Sequence, residues 1–142
     1  MNIQPLHPNF KVPTKGTELA GAYDLYMPEA GYYQGYQQQE VKVNLGFAAE
    51  VPAGHVALLL PRSGVGSKVG LELNNTCGVI DADYRGPWFA TLRTKNGVPY
   101  TWSAGDRLLQ MLIVPVTQVE FNVVDELSET SRGTGGLGST GK

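Results

Sequence analysis

The sequence predicts a single all-β domain, a jelly-roll or β-sandwich subunit, on three observations. Apolar residues recur in short alternating or β-branched stretches. Glycine and proline, 18 and 9 of the 142 residues, punctuate those stretches. No segment carries a helical period for more than a turn or two. The length suits one domain, and a chain of about 150 residues buries roughly two-thirds of its unfolded surface, enough for a core without staples.

The elements follow in order. Val41, Val43, Leu45 and Phe47 alternate as a half-buried strand does. Pro52-Ala53-Gly54 turns the chain into an apolar run from His55 to Leu60, which Pro61 stops. The one helical stretch predicted is a turn or two near Ser67 to Leu71, weakened by Gly64, Gly66 and Gly70. Trp88 to Leu92 reads as a strand, and Asn96-Gly97 as the turn before Val98 to Trp102. Leu108 to Val116 is apolar and interrupted by Pro115, and Val119, Phe121 and Val123 alternate again. The body is expected to end at residue 126, and residues 127–142 to form a glycine-rich C-terminal arm. That arm is either a plain disordered end or a flap that orders over a ligand, because so many glycines do not hold one conformation alone.

Composition excludes several functions. Eleven basic and 13 acidic residues give a net charge of −2, and like charges never run beyond two, so nothing predicts a nucleic-acid partner. Cys77 is the only cysteine and the two histidines, His7 and His55, lie far apart, which rules out a disulfide framework and a cysteine-based zinc cage. No apolar stretch nears the ~20 residues that cross a bilayer, so no membrane partner is predicted. The N-terminus reads as neither a signal nor a transit segment, and a cytoplasmic or other intracellular location is expected.

Five segments carry chemistry. Gly21-Ala22-Tyr23-Asp24-Leu25 sets one carboxylate among small residues, where Asp24 either holds a hydrated divalent cation or caps a turn. Pro61-Arg62-Ser63-Gly64 ends a strand with an arginine, a hydroxyl and bare amides, a phosphate cradle or a turn with a solvated arginine. Asn75 to Gly86 holds Asp81 and Asp83, Tyr84 and Arg85; Asp81 follows Val79-Ile80 and is expected to lie deeper than Asp83. A partly buried Asp81 either orients and deprotonates a water or pairs with an arginine. In Gly105-Asp106-Arg107-Leu108-Leu109-Gln110, Asp106 and Arg107 read as a turn with an ion pair, and Gln110 as an inward residue needing polar partners. Arg132, Ser139, Thr140 and the tail glycines are components of a second phosphate cradle, although no helix follows Lys142 to complete a nucleotide-binding P-loop. Outside these, the Tyr- and Gln-rich stretch after Gly31 is either a surface loop or, through Tyr32, Tyr33 and Tyr36, a protein-contact patch.

In order and spacing, these five segments resemble the motifs of the trimeric dUTPases, deoxyuridine triphosphate diphosphohydrolases, from about Pro13 onward. The resemblance implies a jelly-roll homotrimer with active sites shared between subunits, and hydrolysis of dUTP to dUMP and pyrophosphate with Mg²⁺ on the triphosphate. Asp81 matches the base that activates the attacking water, and Tyr84 the residue under the deoxyribose. Asn75 matches the side chain that hydrogen-bonds uracil, beside main-chain groups of Gly78, Val79 and Ile80 in the same hairpin. Ser63 and Gly64 match phosphate contacts, Arg62 a buttress and Gln110 a further phosphate-side contact. Asp24 matches the carboxylate holding metal-bound waters, and Arg132, Gly138, Ser139 and Thr140 the tail's grip on the outer phosphates.

Three departures stand out. Leu137 replaces the tail aromatic that stacks on uracil, an interaction worth about 1–3 kcal/mol per base in single-strand binding systems, so a weaker lid is expected. The first motif reads Gly21-Ala22, not glycine immediately before the aromatic, and the Tyr/Gln stretch is longer than expected. Two other readings remain open at this stage: a dCTP deaminase or bifunctional deaminase–dUTPase of related fold, and a nucleotide-gated regulatory protein.

Overall fold

The computed structural model of the protein describes residues 1–136, and its elements are almost all β. Eleven strands are formed: β1 (Ile3–Pro5), β2 (Tyr23–Leu25), β3 (Gly31–Tyr33), β4 (Val41–Asn44), β5 (Phe47–Ala49), β6 (His55–Pro61), β7 (Leu71–Leu73), β8 (Gly78–Ile80), β9 (Phe89–Thr94), β10 (Tyr100–Trp102) and β11 (Leu109–Pro115). Among the described residues a single helix, α1 (Ser63–Lys68), follows β6. The main sheets run β2-β11-β6-β8 and β4-β9-β7, with two-stranded pairs β1-β5 and β10-β3, all antiparallel. This is the jelly-roll sandwich expected of the pattern.

Both main sheets feed one core. Ala57, Leu59, Leu109 and Met111 reach it from the first, and Val43, Leu71, Leu73, Ala90 and Leu92 from the second. Phe47 packs on Trp88 with ring centroids 5.0 Å apart and on Phe10 at 5.7 Å. Among the described residues the Trp88 indole nitrogen is buried without a hydrogen-bond partner.

Several sequence expectations change. The alternating Val41–Phe47 run is two strands, because Gly46 adopts φ +80° and its N–H is taken by Asn44 Oδ1 at 2.8 Å, turning the chain from one sheet to another. The helix lies at residues 63–68, earlier than predicted, and ends where Gly70 adopts φ +68°. Val119, Phe121 and Val123 form no strand; they stand 63%, 93% and 96% exposed in a segment with no neighbouring strand to pair with. Tyr33 is core at 3% exposure, since alternation along β3 turns it inward while Tyr32 faces out, so of the three tyrosines in the contact-patch alternative only Tyr32 and Tyr36 are exposed. The glutamine-rich turn beyond β3 is ordered by Gln34 N–H to Gln38 Oε1 at 2.9 Å and by Tyr36 N–H to the Gly97 carbonyl at 3.0 Å.

Candidate functional site

Asp24 anchors the first half of the site. The carboxylate sits on β2 opposite Gln110 of β11, and its side chain is only 10% exposed. Arg62 Nε meets one of its oxygens at 2.8 Å and Arg107 Nη1 the other at 3.1 Å. Arg62 Nη1 also donates to the Arg107 carbonyl at 3.2 Å, and Gln110 Nε2 to the Pro61 carbonyl at 3.1 Å. Arg107 therefore pairs with Asp24, not with its neighbour Asp106, whose Oδ2 instead accepts the Ser103 N–H at 2.8 Å. Gln110 points away from the core, because its neighbours Leu109 and Met111 point into it.

Ser63 and Gly64 open α1 directly after Arg62. The first amides of a helix have no acceptors within it. The Arg62 carbonyl takes the Val65 and Gly66 N–H groups, and those of Ser63 and Gly64 have no acceptor among the described residues. A groove of about 830 Å³ borders this point and includes Arg62, Ser63, Lys68, Lys95 and Tyr100. Sequence reasoning missed Lys68, Lys95 and Tyr100, which lie outside the motifs and meet only in the fold. The Tyr100 hydroxyl is held above its ordinary value of 10.0 by burial and then by the nearby Asp106 carboxylate, so it remains a protonated donor.

The second half lies on β8 and the turn beyond it. β7 and β8 do not form the expected hairpin: β7 pairs with β9 and β8 with β6, so Asn74–Cys77 bridges the two sheets. Thr76 takes φ +68° in that bridge, and Asn75 is exposed beside it. β8 is an edge strand, so main-chain groups along Gly78–Ile80 face outward unpaired on one side. Gly78 allows this strand close to β6, where a Cβ would stand 3.0 Å from that of Leu59.

Asp81 is exposed, as is Asp83, contrary to the expectation that Asp81 lies deeper; the chain leaves the sheet at Ile80 and carries both into a surface turn. The Asp81 carboxylate has no hydrogen-bond or ion-pair partner within the described residues, while its backbone carbonyl accepts the Tyr84 N–H at 3.2 Å. Tyr84 folds back over the turn and its hydroxyl donates to the Pro87 carbonyl at 3.0 Å. A Cβ on Gly86 would lie 2.5 Å from that hydroxyl oxygen, so the glycine is what lets the ring lie there. A cleft of about 200 Å³ includes Asp81, Tyr84, Val79 and Ile80 but no cation.

The two halves do not meet within one chain. Register pairs Ile80 with Ala57, so Asp81 is level with Val56, six residues along β6 from Arg62. At ~3.3 Å per strand residue that is roughly 20 Å, far beyond the few ångströms over which a base serves its reaction. Arg132 belongs to neither half; its Nε donates to the Gly135 carbonyl at 3.0 Å. Leu137, Gly138, Ser139 and Thr140 lie outside the described residues.

Comparison with known proteins gives this geometry a family. The dUTPase family model matches residues 8–141. A deoxyuridine 5'-triphosphate nucleotidohydrolase of Glaesserella parasuis serovar 5 (strain SH0165) is 37% identical over 142 residues, covering 94% of this chain and 89% of that one. A Staphylococcus bacteriophage 80alpha dUTPase solved with dUPNHPP superposes with a TM-score of 0.87 at 26% identity, over 99% of this chain and 98% of that one. A mutant dUTPase from phage phi11 of S. aureus, whose structure shows a structural Mg(II) ion, superposes at 0.78 with 25% identity, over 88% and 96% of the two chains. With the family pattern running through nearly its whole length, the chain belongs to the dUTPase family.

Proposed function

We propose that the protein hydrolyses dUTP to dUMP and pyrophosphate in sites assembled from more than one copy of the chain. The observation that carries this reading is the placement of a free, exposed carboxylate, Asp81, just past the end of an edge strand whose backbone suits a base, with the Arg62–Ser63 phosphate end roughly 20 Å away.

The chemistry follows from the residues. Uracil pairs with the open edge of β8 through main-chain groups of Gly78, Val79 and Ile80, helped by Asn75. Backbone donors and acceptors are fixed in order, so cytosine, with its pattern reversed at position 4, is rejected. The Tyr84 ring lies under the deoxyribose and leaves no room for a ribose 2′-hydroxyl. Asp81 takes a proton from a water, whose oxygen attacks the α-phosphorus. The bond to the oxygen bridging the α- and β-phosphorus breaks, and pyrophosphate leaves with the electron pair. Ser63, Gly64 and Gln110 of another copy hold the phosphates in line, while Arg62 supports them. Arg132, Gly138, Ser139 and Thr140 of an arm close on the outer phosphates.

Mg²⁺ fits this scheme as an ion carried by the substrate. No group of three His, Cys, Asp or Glu that could hold a metal occurs among the described residues. Asp24 has each oxygen engaged by an arginine, which leaves lone pairs with which it would accept hydrogen bonds from metal-bound waters. When bound, Mg²⁺ neutralises triphosphate charge.

A homotrimer supplies the missing walls. The outward faces of β6 and β11 carry Val56, Leu58, Leu60, Leu112 and Val114, all half-buried, with exposed Val79 of β8 beside Leu58. Strands apolar on both faces are normally covered on both. The extended, unpaired Val119–Val123 segment suits exchange onto a neighbouring copy. No helix among the described residues is long and apolar enough to cross a membrane.

Pyrophosphate release measured with dUTP, dTTP, dCTP and UTP, with Mg²⁺ and with chelator, tests the function. Release from dUTP alone, dependent on Mg²⁺, is the expected result; ammonia release from dCTP would instead identify a deaminase. A narrower test is Gly86→Ala, whose Cβ displaces the Tyr84 ring. Its kcat/KM for dUTP is expected to fall by about tenfold or more, with UTP far less affected, as misplaced substrate-positioning groups do.

A further inference from the structure

We propose that Arg107 is a positioning residue for this reaction: through Asp24 it fixes the Arg62 guanidinium beside Ser63. The inference rests on the proposed dUTP hydrolysis and adds a residue to it that touches no reacting atom.

Three contacts close a triangle. Arg62 and Arg107 each take one oxygen of the Asp24 carboxylate, at 2.8 and 3.1 Å, and the Arg107 carbonyl accepts from Arg62 Nη1 at 3.2 Å. With both oxygens held, the carboxylate plane is set, and Arg62 does not turn without dragging Asp24 and the 107 backbone with it. The same corner is laced by main-chain and amide bonds. The Arg62 N–H donates to the Leu108 carbonyl at 2.9 Å, and the Met27 N–H to the Asp106 carbonyl at 2.8 Å. The triangle thereby joins β2, the end of β6 and the turn before β11, elements far apart in sequence that the sheet order sets side by side.

Exposure separates this from a simple stabilising pair. The Asp24 side chain is 10% exposed, whereas those of Arg62 and Arg107 are 33% and 43% exposed. An ion pair with a partner so open to water adds little to stability. Its geometric effect is larger, because a guanidinium offers donors in a rigid planar fork, whereas an ammonium on a flexible stem orients its partner poorly. Arg107→Lys therefore keeps the charge and loses the orientation.

Steady-state pyrophosphate release from dUTP by the full chain, with melting temperatures and sedimentation of each variant, is the test. Arg107→Lys is expected to lower kcat by about tenfold or more with KM within about threefold, at unchanged melting temperature and assembly. In an Asp24→Asn background the same substitution is expected to change kcat by less than about twofold, since Arg107 acts through Asp24. Full kcat in Arg107→Lys, or losses that multiply in the double variant, would overturn the role. A wild type that released no pyrophosphate from dUTP would overturn the proposed function and this inference with it. An active wild type beside a fully active Arg107→Lys overturns the role of Arg107 alone.

Discussion

Asp81→Asn should stop pyrophosphate release while dUTP binding stays within about threefold of wild type, because a general base typically contributes 10²–10⁴-fold. The substitution is nearly isosteric, and the Asp81 side chain makes no hydrogen bond or ion pair within the described residues, so nothing in the fold depends on its charge. An amide accepts a hydrogen bond from water but not its proton, so the water remains bound and unactivated. Calorimetric titration with a non-hydrolysable imido analogue of dUTP, beside the pyrophosphate assay, separates the two effects. Turnover surviving the change would remove Asp81 from the mechanism.

Two inactive variants should restore one another when refolded together. Asp81→Asn spoils one half of the site and Arg62→Ala the other, and the two positions lie six strand residues, roughly 20 Å, apart in a single chain. If a site takes Asp81 from one copy and Arg62 from another, random mixing in equal amounts leaves about one quarter of sites with both residues intact in a closed symmetric oligomer. Activity near a quarter of wild type is therefore expected from the co-refolded mixture, and none from the two proteins combined without exchange. A mixture no more active than its parts would mean that one chain builds the whole site.

The motifs were legible because their chemistry is local. Pro61, Arg62, Ser63 and Gly64 stand side by side at a strand end, and the turn holding Asp81, Tyr84 and Gly86 spans only a few residues. Turn residues and alternation likewise identified β6, β9 and β11 from the chain itself. The short strands β1, β2 and β3 passed unnoticed, and β7 and β8 entered only as a hairpin implied by the resemblance, since three residues are too few to display a period and each exists through its partner strand. The same cause misled in the opposite direction at Val119–Val123, where a good period has no partner to pair with.

By itself, then, the sequence determined the class of fold and the motifs whose order and spacing mark the family, all of which follow from short-range order. Tertiary structure alone decided which partner Arg107 takes, a carboxylate 83 residues away in place of its neighbour. It also decided that Tyr33 is core, that Gln110 faces outward and that Asp81 and Arg62 stand at opposite ends of β6. These are matters of register and packing between distant segments. A one-residue shift in register reverses the face of every side chain while leaving the local sequence unchanged.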